Sequence, residues 1–203
     1  MTCGKEARLS LRLAENLLQN LSLVVQNGFF LKIRRGCSLD AFLTEQIGLS
    51  REYIEERIQT VFLDGKPVDD LEASVIRDGS SLALSAAMPG LVGAAMRRGG
   101  FYGRLRSTIT YRHTNDPGMA GEGMVHMKIF NLLMHELGPG ILRKGIFVPS
   151  NDLAGFLERQ TEAFWAGCSV IALNGEAATR DTLLRQGGLS RYDTIHLNVE
   201  TEP

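Results

Sequence analysis

Hydrophobic and polar residues along the chain fall into segments with two different periods. In residues 5–20, Leu9, Leu13 and Leu17, with Ala14 and Leu18, recur three to four positions apart, which predicts an amphipathic helix. Residues 21–25 and 29–33 are apolar runs on either side of Asn27-Gly28. That dipeptide tolerates positive φ at both turn positions, so a β-hairpin is expected there. Ser38 is placed to cap a helix running to about Ile47, and Ser50 to cap a second short helix. Residues 60–63 read as a strand closed by Asp64-Gly65, and residues 81–85 as a strand entered through Arg77-Asp78-Gly79.

This order returns further along. Residues 125–135 and 141–148 flank Gly138-Pro139-Gly140 and are expected to form a second hairpin. A helix follows over about 150–165, capped by Ser150 or Asn151. A strand over 169–173 ends at Asn174-Gly175, and a last strand covers 194–199. The phrase Val61-Phe62-Leu63-Asp64-Gly65-Lys66-Pro67-Val68 is thus echoed by Val170-Ile171-Ala172-Leu173-Asn174-Gly175-Glu176-Ala177. Self-similarity at a long period points to one small fold used twice. Each half reads hairpin, helix, strand, short connection, strand. The expected class is α+β, with tandem β-grasp domains, each a mixed sheet with one packing helix. The expected boundaries are an N-terminal helix over 1–20, a first domain over 21–94, a linker over 95–123 and a second domain over 124–203. A single larger sheet shared by the two halves is the alternative.

Residues 21–94 resemble the ubiquitin-like sulfur carriers, the small subunit of molybdopterin synthase and the thiamine-pathway carrier. The likeness rests on Phe62-Leu63-Asp64-Gly65-Lys66-Pro67-Val68, on Ile76-Arg77-Asp78-Gly79-Ser80-Ser81-Leu82-Ala83-Leu84, and on Pro89-Gly90-Leu91-Val92-Gly93. Residues 125–199 carry a weaker echo. The resemblance implies a β-grasp fold and a place in sulfur transfer or cofactor biosynthesis. It also implies a reactive glycine carboxylate at the end of an extended tail. Here the equivalent tail runs on past Gly93-Ala94, and the sequence ends Glu200-Thr201-Glu202-Pro203. Carrier chemistry would therefore need processing at Gly99-Gly100, just after Arg97-Arg98. The competing reading of Gly99-Gly100 is a flexible start to the linker.

Charge adds a second candidate. Residues 91–120 hold five arginines and one aspartate, net +4, between stretches of net −2 and net −3. Arg97, Arg98, Arg104, Arg106 and Arg112 are interleaved with Phe101, Tyr102 and Tyr111. Such a band can dock an acidic protein surface. It can also meet phosphates and bases, although a pI near 6.4 argues against a dedicated nucleic-acid binder. Ser107 to Tyr111 reads as an edge strand.

Catalytic motifs are missing from the pattern. Cys3, Cys37 and Cys168 are far apart and form no Cys-x-x-Cys pair. His126 and His135 fall nine apart on one expected strand, and no set of His and Glu has metal-ligand spacing. No nucleotide-binding glycine pattern is present. Neither a secretory signal nor a span of about 20 apolar residues is visible, so a cytoplasmic chain without membrane contact is expected. The function the sequence supports is non-catalytic protein binding, with no cofactor or metal. A processed carrier and a ligand-binding or enzymatic site between two lobes are the alternatives. Exposed sheet edges make a homodimer a further expectation.

Overall fold

The computed structural model describes residues 4–106, 108–111 and 121–202. In chain order its strands are β1 (Glu6–Leu13), β2 (Phe29–Arg34), β3 (Thr60–Leu63), β4 (Lys66–Pro67), β5 (Ser81–Ser85), β6 (Glu122–Phe130), β7 (Ile146–Pro149), β8 (Cys168–Leu173), β9 (Glu176–Ala177) and β10 (Thr194–Thr201). The helices are α1 (Ser22–Asn27), α2 (Leu39–Ala41), α3 (Arg51–Arg57), α4 (Gly90–Met96), α5 (Leu132–Lys144), α6 (Ser150–Glu158), α7 (Glu162–Ala166) and α8 (Arg180–Leu184). The class is α+β with mixed strand pairing. The chain separates into two compact units. Unit one takes the described residues up to Phe29 and those from His135 onward. Unit two takes those from Phe30 to Met134.

This division departs from the expected boundaries at 20, 94 and 123, because the units exchange chain segments. The strand order in unit one is β7-β10-β1-β8-β9, and in unit two β2-β6-β5-β3-β4. The first strand of the chain therefore belongs with the second half. Strand β6 lies beside β2 and pairs parallel with β5, in the first half.

Several local expectations are corrected. Residues 6–13 form a strand, not a helix. Ala7, Leu9, Leu11 and Leu13 are buried in strict alternation, the period of a half-buried strand. A 3-10 turn over Glu15–Leu21 and helix α1 replace the expected strand over 21–25. Asn27-Gly28 closes α1, with Gly28 at φ 106°, and makes no hairpin. Gly138-Pro139-Gly140 lies inside α5. There Leu133, Leu137 and Ile141, four residues apart, are buried with Leu142. Their shared face outweighs the helix-breaking preference of the Gly-Pro-Gly run. His126 is on β6 and His135 in α5, so they do not share a strand. Residues 108–111 are not a strand, and Ser107 lies outside the described residues. Other expectations hold. The Ser38 and Ser50 hydroxyls cap α2 and α3 by accepting from Ala41 N and Tyr53 N. The turns at Asp64-Gly65 and Asn174-Gly175 have φ of 51° and 75°, and 54° and 85°.

The two units share a set of corresponding bonds. In unit two, Asp64 N donates to Ser81 O at 2.8 Å, and Ser81 N donates back to Asp64 Oδ1 at 2.8 Å. In unit one, Asn174 N donates to Arg8 O at 2.8 Å, and Arg8 N donates back to Asn174 Oδ1 at 2.9 Å. Val68 N donates to Val61 O, and Ala178 N to Ile171 O, both at 2.9 Å. Strands β5 and β6 run parallel with Ser81 opposite His126. Strands β1 and β10 run parallel with Arg8 opposite His196. The His126 ring lies 4.7 Å from Phe30, and the His196 ring 4.4 Å from Phe147. Strand β1 thus holds in unit one the position that β5 holds in unit two, and β10 the position of β6. In unit two the two positions of the parallel pair are filled by consecutive strands, β5 and β6. In unit one the equivalent of β5 arrives from the far end of the sequence.

Candidate interaction site

The repeat allows each unit to serve as a control for the other. In unit one, the segment after β1 turns most of its apolar side chains inward: Leu18, Leu21, Val24 and Val25 are buried, and Leu23 is 54% exposed. In unit two, the segment after the equivalent strand β5 does the opposite. Residues 88–106 form an arch of helix α4 and a 3-10 turn over Phe101–Arg106. Leu91 is 65% exposed, Val92 71%, Phe101 85% and Leu105 71%. Only Gly93, Ala95 and Arg106 of the two helical pieces are buried. The segment after β1 leaves Leu23 exposed, whereas the arch leaves Leu91, Val92, Phe101 and Leu105 exposed.

The arch is fixed by one arginine. Arg106 is 2% exposed, and all five of its N–H groups find acceptors. Nε donates to Ala95 O at 2.7 Å. One terminal nitrogen donates to Asp69 Oδ2 at 3.0 Å and Thr110 Oγ1 at 2.9 Å. The other donates to Asp69 Oδ1 at 2.6 Å and Arg97 O at 3.3 Å. Bidentate pairing of this kind sets orientation as well as energy. It joins α4, the 3-10 turn and the β4 side of the unit at one point. Gly99 N adds a bond to Asp69 Oδ1 at 3.1 Å, Arg98 N one to Gln59 O at 2.8 Å, and Tyr111 N one to Pro67 O at 2.9 Å. At Gly93 any side chain is excluded, because a Cβ would come within 2.1 Å of Met88 O.

The sequence-derived site residues divide accordingly. Arg97 and Arg104 are exposed on the arch beside its apolar side chains. Arg98 is half-buried and donates to Ile54 O at 3.0 Å. Burial lowers its pKa, against the opposing pull of Glu55, Asp69 and Asp40. Arg106 was expected among the docking groups, but its burial makes it the anchor of the arch and removes it from the surface. Arg112 lies outside the described residues. Gly99 and Gly100 sit in a bonded turn, with Gly100 N donating to Arg97 O at 3.2 Å, and not in a loose linker. The expected extended tail at Pro89 to Gly93 is the cap and first turns of α4.

Next to the arch, an open groove of about 360 Å³ is lined by Asp40, Arg51, Glu55, Asp69, Glu72 and Arg98 among others. Arg51 spans two of its carboxylates, at 2.9 Å from Asp40 and 3.5 Å from Glu72. The groove gives the arch an acidic flank, while Arg97 and Arg104 stand on the arch itself.

Cys37 is half-buried with Gln46 Nε2 at 3.2 Å from its sulfur. Cys168 donates to Phe164 O at 3.3 Å, and burial pushes its thiol pKa up, which disfavours the reactive thiolate. Cys3 and His113 lie outside the described residues. Among the described residues, no three His, Cys, Asp or Glu side chains are grouped to hold a metal ion, and no helix is long and apolar enough to cross a membrane. Sequence reasoning missed the Arg106–Asp69 anchor, since no periodicity or motif links two residues 37 positions apart. Comparison with protein-family models, curated proteins and solved structures finds no match.

Proposed function

We propose that this chain is a duplicated β-grasp protein that works by binding another protein, and that the arch over residues 88–106 of unit two is its docking surface. The β-grasp reading is supported by the two five-stranded units, each with a central parallel pair, flanked by antiparallel strands on both sides in unit one and by antiparallel β3 beside β5 in unit two. The observation that carries the docking reading is the contrast between duplicates. Leu91, Val92, Phe101 and Leu105, all exposed on one segment of unit two, mark a contact surface. The partner that fits is a protein segment combining apolar side chains with carboxylates, because the exposed charges among Leu91, Val92, Phe101 and Leu105 are Arg97 and Arg104.

The magnitudes suit a modest affinity. Burying four such side chains gains about 1.5–3 kcal/mol each. Association costs roughly 4–15 kcal/mol in lost freedom. The surplus is small, and the arginines then decide which segments bind. Release of a Gly99-Gly100 end for carrier chemistry draws no support from a turn whose amides are bonded to Asp69 and Arg97.

The test uses full-length protein against an array of synthetic apolar peptides carrying either Glu/Asp or Lys/Arg. The wild type is expected to prefer the acidic peptides. Phe101→Ser/Leu105→Ser and, separately, Arg97→Glu/Arg104→Glu should each weaken that binding at least tenfold while leaving the fold intact by circular dichroism. Equal binding to both peptide classes would refute the proposal. So would binding confined to phosphatidylserine vesicles or to single-stranded oligonucleotides.

A further inference from the structure

Unit one is built from two pieces of chain, residues 4–29 and residues from 135 onward, with all of unit two between them in sequence. The first piece is no appendage. Strand β1 sits between β10 and β8, paired over its whole length with β10, from Glu6 opposite Thr194 to Leu13 opposite Thr201. Its other edge pairs antiparallel with β8, from Leu9 opposite Leu173 to Leu13 opposite Cys168. Leu9, Leu11 and Leu13 are essentially inaccessible. Beyond the strand, Ala14 N donates to Gly167 O at 3.1 Å, and Glu202 N to Leu13 O at 3.1 Å. Arg12 pairs with Glu200 at 2.7 Å, and Arg143 with Glu15 at 3.0 Å. The boundary between the pieces is therefore a hydrophobic core with β1 paired on both edges, the character of an obligate interface.

The duplicate shows that this position accepts strands of different origin. In unit two it is filled by β5, the strand that follows β4 in the chain. In unit one the strand that follows β9 is β10, which takes the other central position and leaves this one to β1. The same Asx pair, Asp64 with Ser81 and Asn174 with Arg8, receives both. What the position recognises is an alternating apolar strand with free backbone edges. Chain connectivity is not part of that recognition. After β1 the chain runs through the 3-10 turn and α1 to Gly28, at φ 106° and ψ 146°, before entering unit two. That passage is where the first piece joins the rest of the chain.

We propose that the first piece of unit one is exchangeable, so that residues 4–29 of one copy complete unit one of a second copy. The partner is a second copy of this chain, and the interaction surface is the channel between β8 and β10. Every bond of the closed monomer is remade in the exchanged dimer, so only the passage near Gly28 and the loss of freedom on pairing set the balance. This proposal stands on the unit-one register and is independent of the docking arch.

The test uses two full-length chains, one carrying Arg12→Cys and the other Glu200→Cys, which substitute an exposed ion pair that faces across β1 and β10. The two are mixed, partly unfolded in urea, refolded together over a range of concentrations, and treated with a short bismaleimide. A species of twice the chain mass is expected to grow with concentration, linked through the tryptic peptides that contain positions 12 and 200. Neither of those peptides contains a native cysteine. A single chain carrying both substitutions reports whether β1 lies beside β10 at all. Internal cross-linking of that double variant, with no 12-to-200 linkage between chains at any concentration, overturns the exchange. Failure of the double variant to cross-link overturns the placement on which the exchange rests.

Discussion

Replacing Arg106 with methionine removes the guanidinium while keeping most of the buried stem. Asp69 then loses two bonds, and Ala95 O, Arg97 O and Thr110 lose their donor. Breaking a fully buried charge pair costs about 3–5 kcal/mol. The Asp69 side chain is 40% exposed and water recovers part of its solvation, so about 2–3 kcal/mol is the appropriate figure for this pair. The loss is local. The core of unit two is made by side chains such as Phe42, Leu43, Ile54, Leu63, Leu82 and Leu84, and none of them belongs to the arch. Opening of the arch should therefore become about 30- to 150-fold more frequent, at tenfold per 1.4 kcal/mol, while the rest of the unit stays folded. Limited trypsinolysis reads this directly, because Arg97, Arg98 and Arg104 are cleavage sites within the arch. Initial cleavage there should rise by that factor. Arg106→Lys should restore little, since an ammonium has three donors in no fixed fork. Arch cleavage within threefold of the wild-type rate would refute the reasoning. So would a drop in global melting temperature without excess cleavage in the arch.

Other consequences are checked more briefly. Asp64→Asn should change stability by less than about 0.5 kcal/mol, because Asn174 already fills the equivalent turn, whereas Asp64→Ala should cost about 1–2 kcal/mol through the lost acceptor for Ser81 N and the positive φ. Urea titration of the two variants separates these outcomes. His126 has its pKa lowered, by burial first and by Lys128 second. Its folded pKa lies below the unfolded value of about 6.5, so the unfolded chain binds the extra proton. The stability of unit two should then be complete above that value and decline as pH falls through it. His126→Gln should flatten the difference between unfolding at pH 7.5 and at pH 5.5, and an unchanged decline would count against the assignment. Gly145→Ala should destabilise unit one by at least about 1–2 kcal/mol, because φ is 89° and a Cβ would lie 2.6 Å from His196 Nε2. A melting temperature equal to wild type would contradict that geometry.

What could be read from the sequence was what is local. Asp64-Gly65 and Asn174-Gly175 specify their turns by backbone preference alone, so the echo between the halves survived intact into the fold. The first strand was misread because spacings of four, Leu9 to Leu13 to Leu17, satisfy a strand as well as a helix, and the 3-10 turn that follows lengthened the false period. Leu11 and Ala7 carried the correct alternation. At Gly138-Pro139-Gly140 a local breaker signal lost to burial of Leu133, Leu137 and Ile141, a tertiary term that no short window contains. The exchange of β1 and β6 between units was invisible for the same reason. Their patterns fit either unit, and only pairing partners decide. The basic band was found correctly as a cluster, but its arginines could not be sorted. Arg106 differs from Arg104 only in having Asp69, Thr110 and two carbonyls within reach.

The chain has a single tryptophan, Trp165, and it lies in unit one, with its ring edge-on to Phe164 at 5.5 Å and beneath Arg180 at 5.8 Å. Intrinsic fluorescence excited at the indole band is therefore a private optical label for that unit. Far-ultraviolet dichroism, by contrast, sums over both units. If they melt together the two signals trace one curve, and if they melt apart the dichroism shows a second step to which the fluorescence is blind. The two units share turn and strand geometry but have unequal spectra, so their stabilities can be measured separately in one unlabelled sample.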